Sequence, residues 1–106
     1  MTQWDVYDWE FPHGAHPAVI LSTPDRCLQS STINVLGCSF HQAKRPARIE
    51  EIILDEADGM DWQTLCRLDV IWLAQASELK RQRGTVSFER RRQLGQRLIR
   101  LYGLVL

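Results

Sequence analysis

Alternation of apolar and polar positions organises most of the chain. From Cys66 the even positions read Cys66, Leu68, Val70, Trp72, Ala74 and Ala76, all apolar, with Arg67, Asp69 and Gln75 between them. A period of two with one apolar face predicts a half-buried strand. Its smallest members, Ala74 and Ala76, leave room for close approach of another element. Four earlier segments also read as strands. Trp4–Trp9 is aromatic and β-branched with interleaved acids. His16–Thr23 is apolar on both faces and therefore central, with Pro17 fitted to a strand's first position. Thr32–Phe40 is the third, with Gly37 marking a bend or a close backbone approach, and Ile49–Asp55 is the fourth. Between the first two, FPHG is turn chemistry, because proline fixes φ and glycine tolerates left-handed backbone. PDRCLQSS reads as a loop or a short turn of helix, and Asp58-Gly59 marks a further turn.

The period changes near the C-terminus. Leu94, Leu98, Leu101 and Tyr102 recur at i, i+4, i+7 and i+8, which makes one helical stripe. Arg92, Arg97 and Arg100 lie opposite it with Gln93 and Gln96. Ser87 caps the start and Gly103 suits the C′ position, so the helix runs over about 87–102. Arg90–Arg92 in the first turn oppose the helix dipole, so an anion should compensate, either Glu89 or acids of a partner. The expected fold is mainly β with a C-terminal helix. Five strands over about residues 3–79 curl into a small antiparallel barrel, and the helix covers one side.

With 106 residues the chain is the size of one domain, 1–106, without repeats or linkers. So small a core gains from association with a second copy. No apolar run approaches the roughly 20 residues that span a bilayer. The acidic start MTQWDVYDWE is unlike a signal peptide. Cys27, Cys38 and Cys66 are an odd set without CxxC spacing, which points to a reducing compartment, read here as the cytoplasm. Net charge is zero but segregated: residues 1–25 carry four acids and no Lys or Arg, residues 50–66 six acids and no base, residues 80–106 eight bases and one acid. Eleven of the thirteen bases are arginine, which suits phosphate contacts and stacking as well as a solvated face.

Candidate chemistry gathers at the strand ends. His13 and His16 flank Gly14 where the second strand begins. Phe11, Phe40 and Trp9 lie near them, placed to stack on unpaired bases. Lys44, Arg45 and Arg48 follow in a loop that can track a phosphate backbone. His13 and His16 with Cys27 or Cys38 have no zinc spacing, and Asp55, Glu56, Asp58 and Asp61 have no calcium-loop spacing. The acids read as a solvated turn or a site for a basic partner, and no metal or other cofactor is expected.

DVYDWEFPHGAHPAVILS, VLGCSF, ADGMDWQT and RGTVSFERRRQLGQRLI, in that order over nearly the whole chain, resemble the PemK/MazF toxin family. The resemblance implies an SH3-like barrel, usually a homodimer. It also implies metal-independent cleavage of single-stranded RNA and an antitoxin that blocks the RNA groove. The same fold includes CcdB, which poisons DNA gyrase and cuts no RNA, so function must be argued from the site. The family's catalytic pair is an arginine just before the segment matching PAV and a threonine or serine just after the third strand. These positions hold His16 and Ser39, so the hydroxyl is retained and the guanidinium is not. Histidine clamps phosphate less well than arginine but transfers protons near neutral pH. His16 is thus expected to move the proton or contact phosphate, Ser39 to hold the phosphorane or ribose, and His41 and His13 to assist. A 2′,3′-cyclic phosphate would result. The alternative is a degenerate barrel that binds RNA, an antitoxin or another cellular target without cutting.

Overall fold

The computed structural model describes residues 1–104, so the last two residues of the expected domain lie outside the described residues. Six strands appear: β1 (Asp5–Phe11), β2 (Gly14–Ile20), β3 (Thr32–Cys38), β4 (Glu51–Leu54), β5 (Thr64–Gln75) and β6 (Gln82–Thr85). They form one antiparallel sheet in the order β4-β5-β3-β2-β1-β6, curled into a half-barrel. A six-residue helix α1 (Pro24–Gln29) joins β2 to β3, and α2 (Phe88–Tyr102) follows β6. No described helix is long and apolar enough to cross a membrane.

The expected class holds, with one strand more than the pattern reveals. β6 reads QRGT, with no apolar alternation, and it forms by pairing with β1. Asp8 adds ion pairs to Arg81 at 3.0 Å and Arg83 at 3.2 Å. β2 is central, between β1 and β3, and serves both faces of the sheet. Val19 joins a core inside the curl with Val6, Leu36, Leu54, Leu68 and Leu94 of α2. Ala18 and Ile20 join a second core with Trp9, Phe11, Ile33, Val35 and Ala74. Pro17 stands fourth in β2, not first, where β3 no longer pairs.

β5 departs most from its pattern. Its even positions were expected to share one face, yet Cys66 and Leu68 enter the inner core while Trp72 and Ala74 pack with the second. The cause is a register shift: Leu36 opposes Ile71 but Cys38 opposes Cys66. Residues 67–70 therefore face Gly37 alone, three extra residues on β5, and an odd insertion flips the alternation. Ala74 is buried and does not offer an outer seam. Ile49, expected in β4, lies outside it and is exposed.

The two margins of the sheet, β4 and β6, are not paired. The turn after β4 closes the gap instead. A Cβ on Gly59 would stand 2.7 Å from the Arg83 carbonyl oxygen and from Gly84 Cα, and Gly59 has φ +90°. Only glycine permits this backbone contact. Asp58, fully buried, accepts from Asp55 N and Ser87 N, while Arg90 reaches Asp55 at 3.0 Å and Asp58 at 3.4 Å. Of the acidic turn, Glu56 and Asp61 are exposed as expected, but Asp55 and Asp58 are not a solvated face. They supply the anion that the basic first turn of α2 requires. Ser87 caps α2 through its hydroxyl, and Gly103 ends it at φ +66°.

Candidate functional site

The register shift between β3 and β5 opens a groove of about 270 Å³. Gly37, Cys38 and Ser39 from the end of β3 form one wall, and Leu65, Arg67, Val70 and Trp72 of β5 another. His13 and His16 project from the tight β1–β2 hairpin, in which Phe11 pairs with Gly14 across Pro12 and His13. Arg45 and Glu51 complete the lining. His16, His13, Ser39 and Arg45 of the expected set therefore share one hollow.

The floor is aromatic. Phe11 lies 5.9 Å from His16 and 5.5 Å from both His13 and Trp72, centroid to centroid. Phe11 is nearly fully buried, so it supports the histidines and offers no face to a ligand. The two imidazoles stand 4.7 Å apart. Burial holds the His16 pKa below its ordinary value of 6.5, and a positive charge on His13 pushes it the same way. Nδ1 of His16 is buried without a partner. A hydrogen bond to the Cys38 backbone works the other way on the pKa, and the net direction favours the neutral imidazole.

Ser39 is fixed at three points. Its N–H donates to Leu65 O at 2.8 Å, and its carbonyl accepts from the buried Thr64 hydroxyl at 2.7 Å. Its Oγ accepts from the backbone N–H of His41 at 3.1 Å, which leaves the hydroxyl proton to donate elsewhere. His41 itself is exposed, 5.6 Å from Phe40, and lines neither hollow beside Ser39. Phe40 is exposed 6.2 Å from His16. Arg48 lies away from this groove, in a hollow between the β3–β4 loop and α2 with Arg97 and Arg100. Lys44 is exposed and lines neither hollow.

Two residues escaped the sequence reading. Arg67 lies on the polar side of β5 and enters the groove because of the register shift. Thr64 precedes the segment in which alternation is visible. Arg67 is held by Asp69 through Nε at 2.9 Å and Nη2 at 2.7 Å, and Arg45 grips Glu51 at 2.7 and 2.8 Å. That grip, with the Arg48 backbone N–H, lowers the Glu51 pKa to about 2. Each guanidinium keeps further N–H donors for a phosphate. Among the described residues, no three His, Cys, Asp or Glu groups gather as a metal site.

Several solved structures superpose over the chain. An endoribonuclease in complex with its cognate antitoxin from mycobacterial species matches with TM-score 0.86 at 18% identity, over 100% of this chain and 98% of that one. The Mycobacterium tuberculosis toxin MazF-mt6 matches with TM-score 0.83 at 15% identity, over 96% and 99%. The fold is that of MazF toxins. A MazE-MazF structure from Deinococcus radiodurans agrees, with TM-score 0.78 at 13% identity over 99% and 97% of the chains. No family model and no curated protein matches the sequence. His16 and Ser39, at the two positions where the resemblance puts the family's catalytic pair, line one groove.

Proposed function

We propose that this protein is the toxin of a type II toxin–antitoxin pair and cuts single-stranded RNA without a metal ion, in the cytoplasm. The observation that carries the reading is one groove holding a partly buried imidazole, a second imidazole 4.7 Å away, a fixed serine hydroxyl and two guanidinium groups. Structurally similar proteins are described as an endoribonuclease with its cognate antitoxin and as a toxin, which supports it. His16 accepts the proton of the ribose 2′-hydroxyl as its oxygen attacks phosphorus. The Ser39 hydroxyl, Arg67 and Arg45 donate to the phosphorane oxygens. His13 in its protonated form gives a proton to the leaving 5′-oxygen. The products are a 2′,3′-cyclic phosphate and a 5′-hydroxyl, and the P–O bond made balances the one broken. Phe40, Lys44, Arg48 and His41 contact the strand beyond the scissile link. A second copy covers Ile71 and Leu73, exposed on β5 where β4 no longer pairs.

The test is incubation of the purified chain with a long single-stranded RNA in EDTA, with mapping of the new ends. Cyclic phosphate ends are expected, reduced about 10²-fold or more in His16→Ala and in Ser39→Ala. Tight binding with RNA left intact establishes the non-cutting barrel instead.

A further inference from the structure

Ser39 belongs to two hollows. On its other side lies a cleft of about 40 Å³, lined by Ser39, Phe40, Asp61, Trp62, Thr64 and Arg83 among others. Nothing in the cleavage chemistry uses it. Arg83 is largely buried, with Nη1 on Asp8 at 3.2 Å and Nη2 on Asp61 at 3.0 Å. Its Nε is buried and has no acceptor. Asp61 is mostly exposed and anchored at Oδ2 alone, with Oδ1 unengaged among the described residues. One guanidinium between two carboxylates leaves the cleft without positive charge, so a phosphate or an acidic side chain is a poor occupant. A neutral group that both donates and accepts is a good one. Phe40 and Trp62 add large exposed rings at the rim, the kind of surface on which an unpaired base stacks.

We propose that this cleft reads a guanine adjacent to the scissile phosphate, a specificity that rests on the ribonuclease reading. Guanine alone among the four bases presents two adjacent donors, N1–H and N2–H, beside the acceptor O6. The donors suit the free side of the Asp61 carboxylate, and the acceptor suits a second N–H at Nη1 or Nη2 of Arg83, each of which spends one hydrogen on a carboxylate. Adenine and cytosine each offer one donor group on that edge, and uracil places its single donor between two acceptors. A ligand seated there and a phosphate in the histidine groove would meet at Ser39, the residue common to both linings.

The experiment measures binding without cutting. Fluorescein-labelled pentanucleotides of uridine with G, A, C or U at the centre, 2′-O-methylated throughout to remove the attacking hydroxyl, are titrated with wild type and variants. The central-G ligand is expected to bind roughly tenfold more tightly than the others. Asp61→Asn presents an amide in place of the carboxylate and should bring all four within about twofold of one another. Trp62→Ala should weaken all four alike, and Trp62→Phe should restore much of the loss. Equal binding of the four by wild type, or an undiminished G preference in Asp61→Asn, overturns the assignment. If RNA is still cut in the cleavage assay, the ribonuclease reading survives that result. Failure to bind any of the four also overturns the assignment, and the cleavage assay alone then decides the ribonuclease reading.

Discussion

His16 sits where charge is costly. Its ring is partly buried, its Nδ1 is unpaired, and His13 adds like charge when protonated. A folded-state pKa below 6.5 means that the unfolded chain binds this proton first. The stability contributed by neutral His16 is therefore complete above about pH 6.5 and is lost as pH falls through the lower folded value. As a general base His16 must be neutral, so cleavage should persist into mildly acidic buffer, with its acid limb below 6.5. Replacing His13 with glutamine removes the like charge, and the acid limb of kcat/KM should move to higher pH. A limb that stays in place would show that His13 does not act on His16. The same residues show what a sequence conveys. That His13 and His16 lie at one hairpin mouth was legible from turn chemistry, whereas Ser39 stood out only through the family resemblance. Arg67 was not legible, because its groove exists only where β3 and β5 lose register, and that shift has no local signature.

Among the elements, the closure between β4 and β6 depends on two glycines in backbone contact. A Cβ at Gly84 would stand 2.7 Å from Gly59 Cα. Gly84→Ala should therefore cost ~2 kcal/mol or more, because neither main chain can retreat without breaking the Asp58–Ser87 contact. Gly95, within α2, has nothing within 4 Å of its added Cβ. Gly95→Ala should raise stability by ~0.5–1 kcal/mol through helix propensity. Urea midpoints of the two variants, shifting in opposite directions at constant slope, are the measurement. β6 shows why part of the fold was hidden: of Gln82, Arg83, Gly84 and Thr85 only the threonine favours a strand, and their conformation is set by β1 and by Asp8. β5 was found correctly as a strand, but its single apolar stripe concealed that it serves two cores.

For the whole molecule, part of the segregated charge that suggested external partners is spent within the chain. Asp8 and Asp61 meet Arg83, and Asp55 and Asp58 meet Arg90. The basic C-terminal segment is thus first a structural counterweight to the acidic segments. An apolar patch also stays uncovered: Leu73 is 60% exposed and Ile71 43%, on a strand whose outer edge is open past Arg67. Sedimentation at micromolar concentration should give the mass of two chains, and Leu73→Lys should give one with its circular dichroism intact. A wild-type chain that sediments singly would remove the dimer.

The partners Asp8 and Arg83 stand 75 positions apart. A nascent chain emerging from its N-terminus therefore carries β1 with one margin bare until the last quarter of the polypeptide has been made. Before then the turn at residues 55–61 lacks Arg90, and the hollow beside Ser39 lacks Arg83. A truncated translation product would hold both histidines and the serine without the Arg83 and Arg90 contacts that fasten the neighbouring turn.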